Sequence, residues 1–204
     1  MTIAAIYLAH LNPMTRAHES IISMLQKDYR VYIFPVRFLK DGHEINTKSF
    51  PFSYELRKKM VESVFGDSVV VPPDYTFFAP YINYLPPLLS SRSWELRKQI
   101  IRKIVEEKFV SYTGDKVEHL MLKVYRLNPI RANRLEISAT SVKDELYREA
   151  TEGTKDNNGW RVKVPEPVFD IIKNNWSVID KFARMQDNTK RIMGMKFPRN
   201  GYKR

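Results

Sequence analysis

Apolar runs alternate with amphipathic stretches along most of the chain. The first run, Ile3–Ala9, is almost entirely apolar, which is typical of a parallel strand covered on both faces. After a polar turn, apolar side chains recur at helical spacing from about Thr15 to Lys27 and predict the first helix. The same patterns predict strands at 29–38, 69–71, 109–112 and 134–137, and helices at 53–65, 93–108, 117–122, 138–150 and 167–184.

This order of elements indicates an α/β fold, with a parallel sheet, right-handed crossovers and helices on both faces. With 204 residues, the chain is long enough for one core of that kind and a small extension. Ligands of such folds bind beyond the carboxyl ends of the strands, where the strand order switches. Residues that follow a strand and begin a helix are therefore the first candidates for a site.

The composition narrows the class of protein. Apolar residues make up 43% of the chain and charged residues 28%, which is ordinary for a globular protein. Cysteine is absent, which excludes disulfides and thiolate metal sites and fits a reducing compartment. No apolar run approaches the roughly 20 residues that span a bilayer, and no basic-then-apolar leader opens the chain. We expect a cytoplasmic protein without a membrane segment.

Positive charge is concentrated at the carboxyl end of a chain whose formal net charge is +11. Residues 181–204 hold eight Lys and Arg residues against Asp187 alone. A tail of this kind can make weak contacts with RNA or an acidic partner, or it can be solvated and without a ligand. A second unusual region, 74–91, is rich in aromatic residues and proline. It is either an irregular cover over the sheet or a wall beside the substrate.

Two strand-to-helix junctions carry polar side chains of matching character. In the first, Thr15 and His18 lie three residues apart and share one face at a helix start. In the second, Ser138, Thr140 and Lys143 occupy another helix start. The free N–H groups and partial positive charge of a helix start suit a phosphate. Each hydroxyl can alternatively be a helix cap.

Several other chemistries lack their sequence patterns. Neither G-x-x-x-x-G-K-[ST] nor G-x-G-x-x-G occurs, so a P-loop or dinucleotide site is not supported. The four histidines are scattered without the spacing of a zinc site, and we expect no metal held by the protein alone. No G-x-S-x-G motif indicates a hydrolase.

The two junctions resemble the two signatures of the HIGH-motif nucleotidyltransferases, the cytidylyltransferase-like superfamily. The first, L-N-P-M-T-R-A-H, is similar to F-[ND]-P-x-[HT]-x-G-H, and the second, I-S-A-T-S-V-K, is similar to I-S-x-T-x-x-R. They occur in the expected order, about 120 residues apart. Phe52–Met60 resembles the middle helix of that family and Tyr112–Asp115 its G-x-D motif. The resemblance covers roughly residues 1–150.

The resemblance implies a fold, a domain organisation and an activity. The fold is a Rossmann-like parallel sheet in a nucleotidyltransferase domain at 1–150, followed by a C-terminal helical extension and basic tail at 151–204. The activity is transfer of a nucleoside monophosphate from ATP or CTP to a small phosphorylated acceptor, with release of pyrophosphate. The NMN adenylyltransferase branch is the leading hypothesis, with phosphopantetheine adenylyl transfer and cytidylyl transfer as alternatives. A homo-oligomer is also expected.

The resemblance also assigns roles to residues. Thr15 and His18 contact the nucleotide phosphates, His18 steadies charge at the α-phosphate, and Lys143 takes the place of the family's arginine as the third catalytic residue. Arg37 and Lys40 are candidates for the acceptor phosphate, or else belong to a solvated basic loop. The other residues expected at the nucleotide are Leu8, His10, Asn12, Gly114, Asp115, Ser138 and Thr140.

The chain departs from the family pattern at two positions. Ala17 replaces a glycine, and Lys143 provides a point charge instead of a bidentate guanidinium. Mg²⁺ is expected as a cofactor that is bound mainly through the nucleotide phosphates. The alternative from another class is a non-catalytic module that binds nucleotide or RNA with the same fold and the basic tail.

Overall fold

A parallel sheet lies at the centre of the fold. The computed structural model describes residues 3–40, 43–72, 91–104, 108–114, 116–131, 138–153, 158–192 and 195–199. The strands are β1 (Ile3–Ala9), β2 (Tyr29–Pro35), β3 (Leu39–Lys40), β4 (His43–Glu44), β5 (Phe109–Thr113), β6 (Pro129–Arg131), β7 (Thr189–Ile192) and β8 (Met195–Pro198). The helices are α1 (Arg16–Leu25), α2 (Tyr54–Phe65), α3 (Ser91–Arg102), α4 (Lys116–Val124), α5 (Ala139–Glu152), α6 (Glu166–Asn174) and α7 (Trp176–Ala183).

The order of the strands places the switch point between β1 and β5. The four-stranded sheet has the order β2-β1-β5-β6, and its paired strands are all parallel. Val70 adds a single parallel bridge to Tyr32 at the free side of β2. The chain therefore adds β2 on one side of β1. It then returns to place β5 on the other side of β1, with β6 beyond it. This confirms the predicted parallel α/β fold.

Helices cover both faces of the sheet because the side chains of its strands alternate. Ala5 and Tyr7 of β1 belong to a core cluster that includes residues of α1, α2, α5, α6 and α7. Ala4, Ile6 and Leu8 belong to a second cluster on the other face, with residues of α3 and α4. An apolar strand without polar alternation is what this double burial requires.

Several predicted boundaries were wrong. The single helix expected at 167–184 is two helices, α6 and α7, which meet at Asn175 in a non-helical conformation (φ −119°, ψ 31°). The loop expected after β2 contains the short antiparallel pair of β3 and β4. The predicted strand at 69–71 makes only the bridge at Val70. Residues 134–137, expected to be a strand, and most of the aromatic region 74–91 lie outside the described residues, and β6 occurs earlier, at Pro129–Arg131.

The C-terminal helices share the core of the sheet. Trp160 and Ile172 are fully buried, and both belong to the cluster that also contains Ala5 and Val142. The indole of Trp160 donates a hydrogen bond of 2.6 Å to the Glu149 carboxylate on α5. The segment after residue 150 therefore packs as part of one core, and the domain boundary expected there stays a prediction.

The described parts of the carboxyl end fold back onto the protein, while several of their basic side chains stay exposed (Lys181, Arg184, Arg191 and Arg199). The strands β7 and β8 form an antiparallel hairpin. Phe197 is 2% exposed, and its ring lies 5.9 Å from that of Phe38. The Asp187 carboxylate accepts hydrogen bonds from the backbone and hydroxyl of Ser49. Apolar burial and these polar contacts dock this stretch on the protein, and a role of its exposed cations toward RNA or an acidic partner stays a prediction. Within the described part of the chain, no helix is long and apolar enough to cross a membrane.

Candidate functional site

Both predicted junctions meet at the carboxyl edge of the sheet. His10 directly follows β1 and Gly114 directly follows β5, and these two strands are neighbours. Helix α1 begins after Thr15, and α5 begins after Ser138. This is the switch point at which an α/β sheet opens a crevice for a ligand. Asp115, also expected at the nucleotide, lies outside the described residues.

The side-chain amide of Asn12 fixes the first turn to the backbone of Phe52. Its Nδ2 donates to the Phe52 carbonyl over 2.9 Å, and its Oδ1 accepts from the Phe52 N–H over 3.2 Å. Asn12 is 2% exposed. The side chain that was expected at the nucleotide is thus bonded to the backbone before α2, and a direct contact with the nucleotide stays a prediction.

Arg57 of α2 holds the same turn and was not found from the sequence. Its guanidinium donates to the carbonyls of His10 (2.7 Å) and Val36 (2.6 Å) and to the Glu44 carboxylate (3.0 Å). Its side chain is 2% exposed. Burial lowers its pKa and Glu44 opposes that effect. The available signal was the spacing of Arg57 from Met60 and Val61, which places it on the buried face of the helix.

Thr15 orients the imidazole of His18. The backbone N–H of Thr15 donates to His18 Nδ1 over 3.0 Å, and the Thr15 hydroxyl lies 2.9 Å from the same nitrogen. Burial, and then Lys143, lower the pKa of His18 to about 4. The ring is therefore neutral at pH 7, and because Nδ1 accepts, its proton is on Nε2. Thr15 is fully buried and its hydroxyl is engaged with His18, and the direct contact with a phosphate stays a prediction.

Lys143 connects the two motifs. Its Nζ donates to the carbonyl of Asn12 over 2.6 Å, from a position one turn inside α5. Burial, and then the charge of Lys196, lower the pKa of Lys143 to about 7. The residue is 7% exposed. This hydrogen bond brings the start of α5 next to the start of α1, which the sequence spacing of about 120 residues could only suggest.

The two hydroxyl side chains of the second junction, those of Ser138 and Thr140, differ in role. Ser138 Oγ accepts from the Ser141 N–H over 3.1 Å and so caps α5. Thr140 is exposed in the first turn of the helix. The cap interpretation therefore holds for Ser138, whereas the Thr140 hydroxyl stays a candidate for a phosphate.

His10 lies against an aromatic cluster. Its ring is 4.6 Å from that of Phe50 and 5.6 Å from that of Phe38. Burial, and then Arg57, Lys143 and His18, lower the pKa of His10 to about 3. The structure brings His10 to the site edge as a neutral ring, while Leu8 is buried in the core behind it.

The residues expected to hold the acceptor lie beyond β2. The Arg37 guanidinium is 4.9 Å from the centre of the Tyr54 ring. Lys40 belongs to β3, and its side chain lies outside what the structure describes. Their role at the acceptor phosphate stays a prediction.

Comparison with known proteins gives similar structures but no similar sequences. No model of a known protein family and no curated protein matches the chain. The bifunctional NMN adenylyltransferase/ADP ribose pyrophosphatase of Francisella tularensis is similar over 91% of this chain and 51% of its own, with 18% identity and a TM-score of 0.60. The chain therefore shares its fold with this protein.

A second solved structure agrees with the first. A protein assigned as a nicotinate-nucleotide adenylyltransferase of Vibrio parahaemolyticus is similar over 89% of this chain and 97% of its own, with 16% identity and a TM-score of 0.51. This chain spans about half the length of the Francisella protein. The predicted resemblance to the HIGH-motif nucleotidyltransferases and the Rossmann-like sheet are confirmed at the level of the fold.

The geometry suits an anion of several charges. Two helix starts, the Nε2–H of His18 and the ammonium of Lys143 converge at one edge of the sheet. Among the residues that the structure describes, no group of three or more His, Asp or Glu side chains could hold a metal ion. The site therefore offers hydrogen-bond donors, which match phosphate oxygens.

Proposed function

We propose that the protein is a nucleotidyltransferase that moves a nucleoside monophosphate from ATP or CTP to a small phosphorylated acceptor. The observation that supports it best is the hydrogen bond between Lys143 and the carbonyl of Asn12, which joins two distant motifs around His18. The shared fold of two adenylyltransferases agrees with this proposal. Adenylyl transfer to an NMN-type acceptor is the leading form.

The chemistry needs positioning and charge stabilisation more than a general base. An acceptor phosphate is already ionised near neutral pH, and its oxygen can attack the α-phosphate in line with the leaving pyrophosphate. The Nε2–H of His18 donates to an α-phosphate oxygen as charge develops there. Lys143, Thr140 and the start of α5 hold the β- and γ-phosphates. The buried Thr15 keeps the tautomer of His18 correct.

Magnesium fits this site only if it binds together with the nucleotide. Mg²⁺ prefers oxygen ligands and commonly keeps several waters while it binds phosphates. The groups that converge here are N–H and O–H donors, which do not form an oxygen cage for the ion. When bound, the ion would neutralise phosphate charge, and the nucleotide would supply its non-water ligands.

A second candidate function is a module that binds nucleotide or RNA without catalysis. Its main support is the basic tail, and the docked hairpin of β7 and β8 still exposes Arg191 and, directly after β8, Arg199. Contact with RNA, a cytoplasmic location and a homo-oligomer stay predictions.

The deciding experiment measures pyrophosphate release. Wild-type protein is incubated with Mg²⁺, either ATP or CTP, and a panel of acceptors that includes NMN, nicotinate mononucleotide and phosphopantetheine. We expect release with one nucleotide and one acceptor class. His18→Ala should lower the rate about 100- to 1,000-fold, because a preorganised donor to the reacting phosphate is lost.

The matched control is His43→Ala, because His43 is an exposed histidine in β4. It should retain the wild-type rate and thermal stability. Equal rates in His18→Ala and wild type would exclude the proposed role of His18. Salt-dependent binding of RNA, with binding of neither nucleotide, would favour the second function instead.

A further inference from the structure

Charged side chains join the C-terminal hairpin to the loop before α2. Lys196 of β8 donates to Ser49 Oγ over 2.8 Å, and its Nζ lies 3.6 Å from the Asp187 carboxylate. Asp187 accepts from the N–H and hydroxyl of Ser49 at 3.2 and 2.6 Å. These contacts hold Lys196 in a defined place instead of leaving it on a free tail.

The same loop is bonded to the helix of the second motif. The hydroxyl of Tyr147 donates to the Lys48 carbonyl over 2.6 Å. Lys143 lies four residues before Tyr147, on the same face of α5. The loop at 48–49 therefore lies between the hairpin and the face of α5 that carries Lys143.

Lys143 and Lys196 are close enough to influence each other. After burial, the charge of Lys196 is the largest cause that lowers the pKa of Lys143, and Asp144 and Asp187 oppose it. A third cation, Lys48, already donates to the Ala183 carbonyl over 2.8 Å. Two ammonium groups held near each other repel, and an anion that contacts both would relieve that repulsion.

Lys196 retains capacity to bind such an anion. An ammonium group has three N–H donors. Within the described part of the chain, one hydrogen bond and one longer ion pair engage Lys196. Its side chain is 31% exposed, whereas Lys143 is 7% exposed. Lys196 is thus the more accessible of the two cations.

We propose that Lys196 is a phosphate-binding residue that acts together with Lys143, and that Asp187 and Ser49 position it. The inference rests on the proposed function, because the anion is then either the polyphosphate of the nucleotide or the phosphate of the acceptor. It makes the hairpin of β7 and β8 a part of the site, formed by the last described strand of the chain.

Binding of simple phosphates to the full chain tests this without any transfer reaction. Inorganic tripolyphosphate represents the nucleotide and inorganic phosphate represents the acceptor, each followed by titration calorimetry. We expect Lys196→Gln to weaken binding of one anion about tenfold, since one charge-assisted hydrogen bond is lost. Lys196→Arg should keep most of the affinity. Lys181→Gln, which removes the same charge from an exposed position on α7, should change it little.

Each outcome decides the proposal. A loss for tripolyphosphate alone assigns Lys196 to the nucleotide, and a loss for phosphate alone assigns it to the acceptor. Unchanged affinity in Lys196→Gln, an equal loss in Lys181→Gln, or a wild type that binds neither anion overturns it. Faster trypsin cleavage after Arg191, on strand β7, in Lys196→Gln also overturns it, because the loss would then come from undocking of the hairpin. Tripolyphosphate binding that needs Lys196, without any pyrophosphate release, would refute the proposed function alone.

Discussion

The two junctions of the candidate site use their polar residues differently. At the first, the side chains of Asn12 and Thr15 are buried and bonded within the protein, and Arg57 and Lys143 donate to the carbonyls of the turn. At the second, Ser138 caps a helix. The first junction is a hydrogen-bonded turn that positions the His18 imidazole. The second is a helix start that carries Lys143.

This difference shows that residues of one sequence motif have different physical tasks. Buried polar groups must find partners, so a short turn with many polar residues is bonded mainly to the protein itself. Thr15 engages only Nδ1 of His18, so Nε2 is the ring nitrogen that can donate to a ligand. Most polar side chains of the first junction are therefore bonded within the protein.

Removal of Arg57 should break the first junction and leave the second intact. Arg57→Met leaves the carbonyls of His10 and Val36 and the carboxylate of Glu44 without this partner. We expect a loss of about 3–5 kcal/mol in the free energy of unfolding, as for other broken buried ion pairs. Urea unfolding followed by circular dichroism measures it.

The control for Arg57 is its neighbour Lys58. Lys58 pairs with Glu62 at 3.7 Å on the helix surface, where the Glu62 side chain is 50% exposed. Lys58→Met should change stability by less than about 0.5 kcal/mol. If both variants lose the same stability, Arg57 does not brace the turn.

The pH dependence of phosphate binding should distinguish Lys143 from the neutral histidines. Its pKa is lowered to about 7, against an ordinary value near 10.5, so the free protein loses this charge as the pH rises above 7. Affinity for tripolyphosphate should fall by up to about tenfold per pH unit above 7. Folding stability should change in the opposite sense, because between pH 7 and 10 the unfolded chain binds a proton that the folded protein does not.

Lys143→Arg removes this dependence, because a guanidinium stays charged throughout the range. The ratio of wild-type to variant affinity at each pH cancels the titration of the phosphate itself. A ratio that stays constant from pH 6 to 9 would show that Lys143 does not titrate in contact with the anion. His10 and His18, whose pKa values are lowered to about 3 and 4, do not change charge in this range.

The smallest effects should separate the cap from the exposed hydroxyl of the second junction. Ser138→Ala should lower stability by about 1 kcal/mol because α5 loses its cap. Thr140→Val should leave stability within about 0.5 kcal/mol and raise KM for the nucleotide. Thermal unfolding and initial rates measure both. A loss of nucleotide affinity in Ser138→Ala without a loss of stability would instead make Ser138 a ligand contact.

The sequence allowed correct prediction of those elements whose pattern comes from local burial. Strand β1 was predicted with its exact bounds, and α1, α2, α5 and β5 within one or two residues at most ends, because each has a clear apolar period or a capping residue. The break at Asn175 and the hairpin of β7 and β8 were missed. A basic hairpin with one buried phenylalanine looks like a polar tail until its partner surface is known.

The amino-acid sequence by itself determined the α/β architecture, the two helix starts and the chemical types gathered there, because hydrophobic period and motif spacing are local properties. Only the tertiary structure decided which polar groups are hydrogen-bonded within the protein. It placed Arg57 under the first turn, joined Lys143 to Asn12 and brought Lys196 to the same region. The hydrogen bonds of Arg57 and Lys143 link residues that are 47 and 131 positions apart, and no local sequence pattern encodes such contacts.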